Sequence, residues 1–140
     1  MAEWASLMTQ RLLNSPSRGW RGHLPLAIRI IAGLIFIGAG VLKFTAHAEE
    51  VRSFEQYGFS NPDHLVYLIG VVEIAGGTAL VLGLLTRLAA LGLAINMAVA
   101  TATAGPSVVN LALLASMIIL VLLGSGRFAA DALLARRLLR

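Results

Sequence analysis

Cysteine is absent from this 140-residue chain, and charged residues are scarce, at 13%. Without thiols there is no structural disulfide, no thiol redox centre, no Cys-ligated zinc and no iron–sulfur cluster. A soluble domain carries roughly a quarter charged residues. Half that share, with 58% hydrophobic residues and a mean hydropathy of +0.83, excludes an ordinary soluble surface. Aromatic residues are also few, and no basic stretch is interleaved with stacking rings, so the net charge of +4 does not point to nucleic acid. No His/carboxylate cluster has metal-ligand spacing, no glycine-rich strand-to-helix loop cradles a phosphate, and no Ser/His/Asp order suggests a hydrolase. His23, His47 and His64 fall at or outside the ends of the apolar segments, which excludes a bis-His haem at membrane depth.

What is present is four apolar segments, and the length suits one compact unit. They run over about 25–44, 64–84, 87–104 and 107–124, close to what an α-helix needs to cross a bilayer. The expected fold is an all-α membrane protein, a four-transmembrane-helix bundle over 25–124. An N-terminal segment (1–24) and a basic tail (125–140) flank it. Leu85-Thr86-Arg87 and Gly105-Pro106 make short turns between antiparallel neighbours. Arg11, Arg18, Arg21, Arg87, Arg127, Arg136, Arg137 and Arg140 all fall on one side of such a bundle. The other side holds Thr45 to Asp63, with Glu49, Glu50, Glu55 and Asp63 against Arg52 alone. The positive-inside effect then places both termini in the cytoplasm of a bacterial inner membrane. Ala2 to Leu13, with Trp4, Leu7, Met8 and Leu12 near one face, and Phe128 to Arg140 either lie flat at the interface or fray as tails. Ala46-His47-Ala48 looks like a signal-peptidase site, but the leader would be unusually long and Lys43 interrupts its end. No internal repeat is evident.

Glu73 is the one charge between His64 and Thr86, and a carboxyl group at that depth costs several kcal/mol unless partnered or protonated. Helical spacing puts Arg29, Gly33, Phe36, Gly40 and Lys43 on one stripe of the first span. Val66, Gly70, Glu73, Gly77, Leu80 and Leu84 share a stripe of the second, and Ala89, Gly92, Asn96, Ala100 and Thr103 one of the third. Each polar group shares its stripe with small residues, which let helices approach closely, so all three stripes should face the bundle interior. Glu73 lies on the order of 10–14 Å from Arg29 and from Lys43 along the membrane normal, so either cation, water or protonation satisfies it. Arg29 and Lys43 lie near enough to the interfaces to snorkel. Asn96 reads more as packing glue than as a ligand, and Thr86-Arg87 as a turn with a positive-inside anchor.

Three motifs carry a family resemblance. Arg29-Ile-Ile-Ala-Gly33-Leu-Ile-Phe36-Ile-Gly38-Ala-Gly40-Val-Leu-Lys43-Phe44 resembles the first-helix signature of the DoxX family. Glu73-Ile-Ala-Gly76-Gly77, followed by Leu82-Gly83-Leu-Leu-Thr86-Arg87, is similar to its second helix and turn, and Gly124-Ser-Gly126-Arg127-Phe128-Ala-Ala-Asp131 to its closing element. The resemblance covers roughly residues 25 to 135. It implies a small four-helix inner-membrane protein, with relatives that include a subunit of a thiosulfate:quinone oxidoreductase and a membrane partner in an oxidative- and thiol-stress assembly. Members often carry a His in the third span and a Glu early in the fourth, where this chain has Asn96 or Met97, and Asn110. The implied function is a membrane subunit or docking partner of a redox assembly, with lipid and a soluble or membrane redox protein as partners and a quinone as the cofactor class. A solute or proton pathway, or a purely structural scaffold, is the alternative, and self-association stays open. No redox centre or hydrolytic constellation is evident in the chain, so at most it is an oxidoreductase subunit.

Overall fold

A computed structural model describes residues 20–126 and 129–138. The helices are α1 (Trp20–Thr45), α2 (His47–Gln56), α3 (Asp63–Leu82), α4 (Thr86–Ala104), α5 (Val108–Leu123) and α6 (Ala130–Leu138), with no strand among the described residues. The protein is therefore an all-α membrane bundle. α1, α3 and α4 are long and apolar enough to cross a membrane. α5 is shorter, at 16 residues, or about 24 Å. Large side chains such as Ile31, Leu68, Leu88, Ile95 and Leu122 cover the outside of the bundle, as lipid-facing surfaces require.

The closest pairing is α1 against α3, and glycines make it. A Cβ on Gly33 would lie 2.8 Å from the Gly77 carbonyl oxygen, and one on Gly77 would lie 2.7 Å from that of Gly33. Gly40 and Gly70 face each other in the same way, at 2.8 and 3.2 Å. Backbones this close admit only hydrogen at those positions, and dispersion between them replaces the hydrophobic driving force that lipid cannot supply. The expected stripes of the first two spans are the buried ones: Arg29, Gly33, Phe36, Gly40 and Lys43 on α1, and Val66, Gly70, Glu73, Gly77 and Leu80 on α3. Leu84 lies past the end of α3 and is half-buried.

The expected stripe of the third span is displaced by one residue. Thr86, Ala90, Leu93 and Met97 are the buried residues of α4, whereas Gly92 and Thr103 are exposed and no atom lies within 4 Å of a Cβ on Gly92. The reason is complementary size. α3 already presents Gly76, whose missing Cβ is met by the Leu93 side chain at 3.0–3.1 Å, so α4 must supply bulk to fill the gap. Gly92 turns outward, whereas Ala90 is fully buried, Ala89 and Ala100 pack partly against the core, and Asn96 still faces inward to Glu73.

The core is one cluster of Ala32, Phe36, Leu80, Ala90, Leu93, Met97, Leu113, Met117 and Leu120. The turns follow local chemistry. α3 ends on Gly83 at φ 71°, with Leu84 N–H donating to Ala79 O at 2.9 Å and Gly83 N–H to Leu80 O at 3.1 Å, a Schellman closure that favours glycine. Gly105 makes the next turn at φ 90°, and the Ser107 hydroxyl caps α5 by accepting Asn110 N–H at 3.1 Å. α6 exposes Leu133 and Leu134. The segment Ala2–Leu13 and Arg127 lie outside the described residues.

Candidate functional site

Glu73 faces inward from the middle of α3, and its side chain is 4% exposed. Lys43 Nζ, from the end of α1, lies 3.0 Å from Glu73 Oε2. The distance is that of an ion pair, but the angle is not that of a directed hydrogen bond, and Oε2 receives none. Asn96 of α4 donates through Nδ2 to Glu73 Oε1 at 3.0 Å. Lys43 also faces Glu50 of α2, Nζ to Oε2 at 3.6 Å. The helix spacing left a wide gap between Glu73 and either cation, and the long lysine side chain crosses it. Lys43 therefore does not snorkel to an interface. It turns into the bundle, 8% exposed.

These four side chains line a half-enclosed cavity of about 350 Å³ between α1, α3, α4 and α5 at the Lys43 end of the bundle. Its walls are mostly apolar, with Phe36, Ile69, Met97 and Leu113 among them, and Phe54, Tyr57 and Phe59 come from α2 and the loop after it. Asn110 and Thr103 add polar atoms. Asn96, Met97 and Asn110 all line this cavity. An apolar enclosure of this size with a few converging polar groups is the usual form of a small-molecule site.

The sequence reading does not anticipate α2, which lies within the acidic segment Thr45 to Asp63. Its composition explains this: no residue of α2 is buried, so no apolar stripe announces it. It is fastened at its start by His47. The ring stacks on Tyr67 with centroids 3.8 Å apart; Nδ1 lies 3.0 Å from the Lys43 carbonyl oxygen and Nε2 2.9 Å from Asp63 Oδ1. Both partners are acceptors, so the charged imidazolium satisfies both by donating twice. The hydrogen bond to Asp63 raises the His47 pKa above its ordinary value; partial burial opposes this, and the Lys43 carbonyl and the Asp63 charge add to it.

The other motif positions gather at the opposite end, where they close the fold. Arg29 is 1% exposed and so does not snorkel either. Its guanidinium donates to Leu80 O at 2.9 Å and to Ser125 O, with Val81 O at 3.5 Å. A cation thus meets the carbonyls at the C-terminal end of α3. Asp131 of α6 accepts Leu85 N–H at 2.7 Å and Thr86 N–H at 3.0 Å, so an anion meets the N-terminal end of α4. Asp131 also acts on Arg29 through its charge. Gly83 is required between them: a Cβ there would lie 2.7 Å from Ala129 Cβ and 2.8 Å from Arg29 Nη2. Gly124 and Gly126 take positive φ beside the Ser125 carbonyl that Arg29 uses. Thr86 is buried at the start of α4, and Arg87 reaches Leu122 O at 3.5 Å. Among the described residues no group of His, Cys, Asp and Glu is placed to hold a metal ion.

Comparison with known proteins follows the same lines. The chain is 40% identical over 74 residues to the uncharacterized membrane protein Rv3486 of Mycobacterium tuberculosis, covering 51% of this chain and 45% of that one. It is 33% identical over 63 residues to a Bacillus subtilis protein named "Putative oxidoreductase CatD", covering 45% of this chain and 46% of that one. The chain thus spans about half the length of these curated relatives. No solved structure matches it. The family model described as DoxX matches residues 24–106, which include the paired glycines of α1 and α3 and all of Lys43, Glu50, Glu73 and Asn96. The chain belongs to the DoxX family.

Proposed function

We propose that the cavity at the Lys43 end binds the headgroup of a quinone-type carrier, and that the chain is the membrane subunit of a redox assembly. The observation that carries this is the position of the Glu73–Lys43–Asn96 cluster inside an apolar-walled cavity about as large as a small ring system needs. The residues fit such a group. Glu73 Oε2 has no directed hydrogen bond, Asn96 and Asn110 bring side-chain amides, and Phe36, Phe54 and Phe59 bring aromatic surface. When bound, the carrier supplies two-electron chemistry; the chain's own residues hold the headgroup, keep lipid away from its oxygens and place a carboxylate beside them. The likeness to a protein named as an oxidoreductase supports a redox setting. The arginine bias supports placing the cavity near the outer leaflet and the Arg29 end in the cytoplasm, where a sequence rich in arginine suits an electron-transfer partner.

A proton or solute pathway is the second reading, and the core weighs against it. Below the cavity Ala32, Leu80, Ala90, Leu93, Met117 and Leu120 pack together, and no polar file crosses them among the described residues. The test is photolabelling in lipid nanodiscs with an azido-quinone of short tail. Labels on the peptides holding Phe54–Phe59 or Asn96–Leu113, displaced by excess unmodified quinone, are the expected result. Labels confined to lipid-facing residues such as Leu68 and Ile95, and not displaced, contradict it.

A further inference from the structure

α2 supplies one wall of the cavity and is held there lightly. It contributes Glu50 and Phe54 to the lining, and Tyr57 and Phe59 follow it, yet it buries none of its own residues. Among the described residues its polar side-chain links to other helices run through two residues. Glu50 faces the Lys43 ammonium at 3.6 Å. His47 meets Asp63 Oδ1 at 2.9 Å and the Lys43 carbonyl oxygen at 3.0 Å. The chain turns at both ends of the helix: Ala46, at φ −113° and ψ 36°, breaks the path from α1, and Gly58 and Asn61 take φ 93° and 54° on the way to α3.

We propose that His47 is a pH-sensitive latch, which holds α2 against the cavity when its ring is charged and frees that wall when the ring is neutral. Both ring nitrogens face acceptors, and the imidazolium donates to each. A neutral ring has one N–H, so its other nitrogen meets an oxygen lone pair to lone pair and one contact is lost. The surrounding groups leave this logic intact. On α3, Asp63 accepts the N–H, Tyr67 stacks on the ring at 3.8 Å, and the exposed His64 lies 3.9 Å from the far oxygen of Asp63. On α1 the Lys43 ammonium turns away to Glu73 at 3.0 Å. On α2 itself Glu50 faces Lys43, and Glu49 is exposed.

The hydrogen bond to Asp63 raises the His47 pKa. The latch is therefore fully engaged below the ordinary histidine value of about 6.5 and is lost as pH rises through the elevated one. Release carries Glu50 away from Lys43 and Phe54 away from the cavity, which opens on that side. The latch acts on whatever the cavity holds, so it stands or falls apart from the headgroup reading.

Pulsed electron-spin distance measurement in nanodiscs tests this without a ligand. The chain has no cysteine, so Arg52→Cys on α2 and Leu122→Cys near the end of α5, both exposed, take spin labels at those two places alone. The expected result is one narrow distance at about pH 5 and a broadened distribution with a displaced component at about pH 9, the midpoint lying above about 6.5. The same distribution at both, or one that narrows as pH rises, overturns the latch. In His47→Gln the broad distribution is expected throughout; a surviving pH response there overturns the role of His47. Asp63→Asn keeps an acceptor but removes the charge that favours the imidazolium, so the midpoint is expected to move to lower pH, and an unmoved midpoint overturns the pairing. His64→Gln is expected to keep the response, and its loss there assigns the switch to His64 and overturns the latch.

Discussion

Glu73 and Arg29 are both charged groups inside the bundle, and they are accommodated by different means. Arg29 is absorbed by backbone carbonyls at a helix end. Glu73 is held by one lysine and one amide at the wall of a cavity, which suits a group that meets a ligand. Breaking a buried pair leaves an uncompensated charge, so Lys43→Met is expected to destabilise the protein by about 3–5 kcal/mol. Most of that loss should disappear when Glu73→Gln is combined with it; a double-mutant cycle on unfolding in detergent measures the coupling. His47 makes a second residue-scale prediction. Its pKa is raised in the folded protein, so its stabilisation of α2 is fully present below the ordinary histidine value of about 6.5. That stabilisation is lost as pH rises through the elevated value. Melting curves at acidic and alkaline pH should show a wild-type advantage over His47→Gln only on the acid side. Glu73 stood out in the sequence because it is alone in an apolar run. Its partner did not, because choosing between Lys43 and Arg29 depends on side-chain reach and helix tilt, which helical periodicity does not encode.

Helix periodicity made two of the membrane-spanning helices legible down to the residue. The stripes of α1 and α3 follow from glycines spaced along a polar-bearing face, and the structure shows why: Gly33 with Gly77 and Gly40 with Gly70 bring the backbones together. Gly77→Ala forces a Cβ against the Gly33 carbonyl and is expected to cost about 1–3 kcal/mol. Gly38→Ala meets no atom within 4 Å and is expected to be neutral or slightly stabilising, by the helix propensity of alanine; comparing thermal unfolding of the two variants checks this. The same logic failed by one residue on α4, where Leu93 and Met97 face the core beside Ala90 and Gly92 faces outward. α2 escaped notice for a related reason. It buries nothing of its own and is positioned by His47, Glu50 and the aromatic residues after it, contacts that only the folded chain brings together.

In the whole molecule the two ends do different work. At the Arg29 end, motif residues distant in sequence form one closure, in which Asp131 caps α4 and Arg29 finishes α3. Asp131→Ala removes an N-cap acceptor and is expected to cost about 1–2 kcal/mol without altering ligand binding, so its effect should appear in unfolding and not in titration. The motif pattern in the sequence marked these residues but not their task, since Arg29 and Asp131 reach their partners only after four helices have packed. At the Lys43 end α2 lies over a cavity, with Glu50 and Phe54 in its lining. The central claim, that this cavity is a headgroup site, is tested most directly by filling it. Ala100→Phe places a ring in the cavity and leaves Lys43, Glu73 and Asn96 unchanged. Binding of decyl-benzoquinol in nanodiscs should weaken at least about tenfold, with the unfolding midpoint little changed; binding as tight as in the unaltered protein would contradict the account.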